Sequence, residues 1–249
     1  MRLLSALFLF CSLSYAEVVY PGYGVIAHVV HGGGIQTEFT ITNLDDEANC
    51  YFLWFFDDKG SQIPLETDAG IIRSFSDSLG PHASRTIRTT GAANIQGYGR
   101  IRTSGNVAAS TTFRFSVAPW TGSAVTVPAD FGINTHFSLP FDHTGSTVTG
   151  LAIVSSSVDK VNGVTLMFRQ EDGNLIVSDT FNLTGHRAIA TTTSYPATAG
   201  RRGTIEISST DYLSVLALRY GPSAISSVTQ LVSSKWAASD GRLIGCWDY

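Results

Sequence analysis

Charge is scarce in this chain. Asp, Glu, Lys and Arg make up 14% of its 249 residues, against the quarter usual in soluble domains. The net charge is −4, so no basic field exists to neutralise phosphates, which argues against nucleic-acid binding. Cysteine is scarce too, and three residues are too few for a fold stapled by disulfides. After the N-terminus no apolar run is long enough to span a bilayer, so no membrane span is expected. No long segment carries apolar residues at helical spacing between helix caps. Disorder is excluded by the opposite finding: 43% of residues are hydrophobic and 11% aromatic, enough to build a core. What is abundant is glycine, serine and threonine, the material of turns and of half-exposed strands.

The N-terminus has the plan of a secretory signal peptide. Arg2 gives a positive start, Leu3 to Leu13 is mostly apolar, and Ser14-Tyr15-Ala16 places small residues before Glu17. Cleavage is expected after Ala16, giving a signal peptide at 1–16 and a secreted, periplasmic or cell-surface protein. Phe10 before Cys11 does not suit lipid attachment. Cys50 and Cys246 remain, and in an oxidising compartment they are the candidate disulfide.

The rest of the chain repeats itself. His31-Gly32-Gly33 falls on His143-Thr144-Gly145, and Thr37 to Asn43 falls on Thr149 to Ser155, at one spacing. Leu53 to Gly60 aligns with Leu166 to Gly173, Leu79 to His82 with Leu183 to His186, and Phe113 to Phe115 with Leu218 to Tyr220. One insertion between Gly60 and Leu79 reconciles the spacings. Two β-sandwich modules are therefore expected at 25–128 and 134–233, joined near Pro128 to Asn134 and followed by a C-terminal tail at 234–249. Alternation of Phe39 and Ile41 with threonines, and of Tyr51, Leu53 and Phe55 with outward residues, predicts half-buried strands. Asp58-Lys59-Gly60 and Glu171-Asp172-Gly173-Asn174 predict turns, while Ser104-Gly105-Asn106 and Ser209-Thr210-Asp211 predict hairpins. The predicted fold is all-β: two tandem antiparallel sandwiches of immunoglobulin type.

Four segments carry a resemblance: Tyr195 to Glu206, Leu139 to Asp142, Thr149 to Ala152, and Leu213 to Arg219. They resemble bacterial secreted proteins built of tandem immunoglobulin-like modules. The resemblance implies a β-sandwich and an extracytoplasmic location, and it supplies no catalytic residues.

Chemistry-bearing patterns are weak. His28 and His31 lie close in sequence, but no ligand set with zinc spacing accompanies them. His31 recurs as His143 and His82 as His186, which points to loop packing rather than a unique site. The acidic groups Asp45-Asp46-Glu47, Asp57-Asp58 and Glu171-Asp172 lack the ligand spacing of a calcium loop and read as solvated turns. No nucleophile elbow is present. No catalytic, cofactor or metal residues are assigned. The exception to the bland pattern is Phe52, Trp54 and Phe56, on the outer face of one strand in the first module only. Such a strip is either covered, with Ile71, Ile72 and Phe75 of the insertion as the expected cover, or is a contact surface. The expected function is a non-enzymatic structural or adhesion-type protein with a protein or polysaccharide partner at the cell surface. The alternative is a carbohydrate-binding module using Trp54 or Trp120 as a platform.

Overall fold

A computed structural model describes residues 22–91, 93–132, 134–157, 160–228 and 231–232. The expected signal peptide at 1–16, Cys246 and the expected tail at 234–249 lie outside the described residues. The chain is all-β, with antiparallel sheets throughout. Its first half comprises β1 (Gly22–His31), β2 (Ile35–Asn43), β3 (Asn49–Phe56), β4 (Leu65–Thr67), β5 (Gly70–Ile72), β6 (Ser74–Leu79), β7 (Ser84–Arg88), β8 (Ile95–Thr103), β9 (Val107–Phe115) and β10 (Ala124–Pro128). Its second half comprises β11 (Asn134–Asp142), β12 (Val148–Ser155), β13 (Asn162–Gln170), β14 (Leu175–Leu183), β15 (His186–Ala190), a helical turn α1 (Thr191–Ser194), β16 (Arg202–Tyr220), β17 (Ile225–Ser227) and β18 (Leu231–Val232).

In the first half the sheets run β1-β8-β3-β6 and β10-β9-β2-β7. In the second half one long strand serves two layers. Residues 202–209 of β16 pair with β11 and β13, and residues 213–220 pair with β12 and, at the end, β17. The resulting orders are β11-β16-β13-β14 and β17-β16-β12-β15, the same as in the first half, with β18 added beside β11. The two expected hairpins are corners instead. Ser104-Gly105-Asn106 carries the chain from β8 to β9, which belong to different sheets, and Ser209-Thr210-Asp211 lies inside β16. Turn-forming residues serve a change of layer as well as a reversal, so composition alone does not separate the two.

Period-2 burial explains the cores. Tyr51, Leu53 and Phe55 of β3 are buried with Phe39, Ile41 and Ile101. Val164, Leu166 and Phe168 of β13 are buried with Leu151, Ile153 and Ile205. Each core is closed at one corner by a buried threonine pair and a histidine. In the first, Thr37 N–H donates to Thr89 Oγ1 at 2.9 Å, Thr89 Oγ1 donates to Thr37 O at 3.2 Å, and His31 Nδ1 bonds Gly91 O at 3.1 Å. In the second, Thr191 Oγ1 donates to Thr149 O, and the His143 ring reaches the hydroxyls of Thr191 and Thr198, both at 2.8 Å. These are the buried partners that such polar groups need in a core. They give His31 and His143 a packing role. Gly97 and Gly203 form a further pair. A Cβ on either would lie 1.9 Å from a backbone carbonyl, of Phe56 and Arg169 respectively.

The halves are tightly apposed. Phe113, Phe115 and Val125 of the first pack with Ala152, Leu216 and Leu218 of the second. Val25 and Tyr98 pack with Val154. At the join, Val25 and Asp130 exchange two backbone hydrogen bonds of 2.8 Å. The insertion does not do what its apolar residues suggest. Ile63, Ile72 and Phe75 pack on the first core, and Ile71 is 74% exposed.

Candidate functional site

The aromatic strip lies on the outer face of β1-β8-β3-β6. Phe52 and Trp54 are half-buried, with ring centroids 4.1 Å apart. Their neighbours across the edge, on β6, are Ser76 and Ser74, too short to cover them. Cover comes from β8 instead: the Arg102 guanidinium lies 5.4 Å from the Trp54 ring and 5.9 Å from that of Tyr23, a cation–aromatic arrangement. Tyr23 stays 38% exposed. Cys50 is half-buried at the start of the same strand, and its backbone N–H donates to Ser104 Oγ at 2.8 Å. Phe56 departs from the strip. It stacks on Tyr98 at 5.1 Å, within the cluster closed by Val154 of the second half.

Beside Phe56 sits Arg100, 3% exposed. Among the described residues no carboxylate pairs with it. Its guanidinium lies 5.4–5.9 Å from the rings of Tyr98, Phe56 and Tyr23, and Nη2 donates to Ser155 O of the second half at 3.1 Å. Burial pushes the hydroxyls of Tyr23 and Tyr98 up, and the nearby Arg100 charge opposes this.

Sequence reasoning missed a second constellation at the junction. Asp58, in the turn after β3, accepts from His186 Nδ1 at 2.7 Å, and His186 Nε2 lies 3.1 Å from His28 Nδ1. Asp58 O also accepts from the His186 N–H at 3.0 Å, and the second carboxylate oxygen accepts from Gln96 Nε2 at 3.0 Å. Gly185 permits this approach, because a Cβ there would meet Asp58 O at 2.7 Å. The His186 side chain is fully buried, while Asp58 keeps 47% of its side chain in solvent. The His186 hydrogen bond holds Asp58 below the usual carboxylate range. Burial first, then the neighbouring His186, push His28 down to about 3, so its ring is neutral at ordinary pH.

His28 lines a cleft of about 620 Å³ between the halves. Phe113, Phe115, Leu216 and Leu218 give it apolar walls. Trp120 closes one side, with Nε1 donating to Gly221 O at 2.9 Å. Trp120 is thus part of the junction and offers no bare platform. A signal for His28 was present in the sequence: unlike His31 and His82 it has no histidine counterpart in the second half, where Pro140 aligns with it. Its partners were not legible, because they meet only when the halves dock. Among the described residues, no group of three or more His, Cys, Asp or Glu is arranged to hold a metal ion. Nor is any helix there long and apolar enough to cross a membrane. The chain matches no protein-family model, no curated protein and no solved structure.

Proposed function

We propose that this chain is an exported, non-enzymatic adhesion-type protein of two tandem immunoglobulin-like modules, which contacts a protein partner at the cell surface. The shared strand order of the halves supports the tandem reading. The contact surface is Phe52, Trp54, Arg102 and Tyr23. One observation carries it: the Phe52–Trp54 pair, 4.1 Å apart, stands on an outward sheet face under a single arginine rather than beneath the insertion. Tryptophan, tyrosine and arginine together are the composition of binding hot spots. A carbohydrate-binding role is the second reading, favoured by Trp54 alone, since a sugar stacking there has to displace Arg102.

The test compares the mature wild-type protein with a Trp54→Ala/Arg102→Ala variant on native cell-envelope fractions and on an oligosaccharide array. Envelope binding that is abolished by protease treatment of the envelope and by the double substitution supports the first reading. Array binding lost in the variant transfers support to the second. Turnover of esterase, glycosidase or protease substrates by the purified chain overturns both.

A further inference from the structure

We propose that the cleft between the halves binds an uncharged, largely apolar small molecule that presents a hydroxyl or comparable hydrogen-bond donor to His28 and Gln96. This site is separate from the aromatic face and does not depend on the adhesion reading.

Asp58 sets the proton positions at this end of the cleft. An ionised carboxylate only accepts hydrogen bonds. Its partner nitrogen, His186 Nδ1, 2.7 Å away, therefore carries the proton. In a neutral His186 the other nitrogen, Nε2, is then an acceptor, and it takes its bond from His28 Nδ1 at 3.1 Å. A neutral His28 with its proton on Nδ1 has a bare lone pair at Nε2. The ring lines the cleft, and among the described residues Nε2 has no hydrogen-bond partner. Gln96, at the mouth of the same cleft, follows the same logic. Its amide donates through Nε2 to the other oxygen of Asp58, so its carbonyl is the group that remains to accept. One carboxylate thereby makes His28 Nε2 an acceptor and orients the Gln96 amide, which keeps its carbonyl and one N–H for a ligand.

The rest of the wall decides the ligand class. Among the described residues the lining holds no Asp, Glu, Lys or Arg, and its other polar side chains are the hydroxyls of Ser146, Thr192, Thr193 and Tyr220. A ligand anion would meet the His28 lone pair and no compensating cation, which leaves its charge desolvated. A ligand cation would be desolvated without a counter-charge, which is costly. A neutral hydroxyl fits, its O–H donating to His28 Nε2 and its oxygen within the chemistry of the Gln96 amide, and its apolar remainder fits against Phe113, Phe115, Leu216 and Leu218. The volume, about 620 Å³, lies within the range of small-molecule sites.

The experiment uses the full mature chain and three probes of one shape: 4-octylphenol, 4-octylbenzoate and octylbenzene. Binding is read by thermal shift and by the fluorescence of Trp120 in the cleft wall, with Trp120→Phe as the control that assigns the signal. The phenol is expected to bind at least about tenfold more tightly than the other two, the value of one well-made hydrogen bond in a sheltered site. In His28→Phe the preference for phenol over octylbenzene is expected to shrink to the part that Gln96 supplies, and in His28→Phe/Gln96→Leu to vanish. Tighter binding of the benzoate, equal binding of all three, or no binding by any overturns the proposal. Discrimination among the probes by the wild-type protein is decisive even if the His28 variant does not fold.

Discussion

His28 and His186 come from opposite halves, yet their rings stack with centroids 5.1 Å apart and share a 3.1 Å hydrogen bond. The carboxylate of Asp58 accepts from the His186 side of that pair at 2.7 Å. Replacing Asp58 with asparagine keeps the size and removes the obligate acceptor. An amide that turns its NH2 toward His186 leaves the buried ring without its partner. Asp58→Asn is expected to cost about 1–3 kcal/mol, read as a lower urea midpoint. An unchanged midpoint would show that the chain of bonds contributes nothing to docking of the halves.

The same pair makes acid destabilising. The folded pKa of His28, about 3, lies below the ordinary value of about 6.5. Between those values the unfolded chain binds the extra proton, so its contribution to stability is full above pH 6.5 and declines as pH falls toward 3. Buried His143 is shifted in the same direction. The carboxylates held low, Glu38, Asp58, Asp142 and Asp211, act only below about pH 4.5. Unfolding free energy is thus expected to fall from pH 6.5 to 4.5 with a slope of at most about 1.4 kcal/mol per pH unit for each histidine. Urea titrations of wild type and His28→Phe at several pH values check this, and the variant's slope should be shallower by up to one proton.

Gly97→Ala and Gly203→Ala are expected to be severe and of similar size. Each places a methyl group 1.9 Å from a backbone carbonyl, and backbone inside a sheet has little room to yield. A loss above about 3 kcal/mol, or failure to accumulate folded protein, is expected from either. If one is tolerated and the other is not, the halves differ at this point more than their shared geometry implies.

Trp54→Ala tests the strip from the stability side. Trp54 is half-buried between Phe52 and Arg102, so a loss of about 1–2 kcal/mol is expected, less than for a fully buried tryptophan. Ile71→Ser, at an exposed position, should leave the melting temperature within a degree or two. A Trp54 cost as large as that of Leu53→Ala would place the indole in the core and remove it as a contact residue.

If the chain is exported as proposed, Cys50 and Cys246 are expected to form one disulfide. Thiol counting in denaturant without reductant decides this. A monomer with no reactive thiol is the expected result, and two thiols per chain exclude the bridge.

The sequence made some of this legible, and its limits are physical. The alternation of Tyr51, Leu53 and Phe55 with Phe52, Trp54 and Phe56 was enough to say which set faces the core, since a strand has only two faces. It did not say what lies over the outer set. That depended on which neighbour reaches across: Arg102 on the adjacent strand did, and the insertion's Ile71 did not. The junction was illegible for a different reason. Asp58 reads as one more turn aspartate and His186 as a repeat of His82. Yet His82 is an exposed residue paired with Asp46, whereas His186 is buried against the other half. Equivalent positions in a repeat share backbone geometry, while their partners across a junction need not match.

The double hydrogen bond between Val25 and Asp130 has a mechanical meaning. Chains of small modules usually join them by slack segments that let each module swing, and a partner touching two modules must then freeze that swing. Here the segment after Pro128 is stitched back onto β1 before the second half begins. A large ligand spanning the halves would meet a preset angle and lose no affinity to ordering it. The same stitch removes the loose hinge through which two copies exchange halves, so concentrated solutions should stay free of swapped dimers.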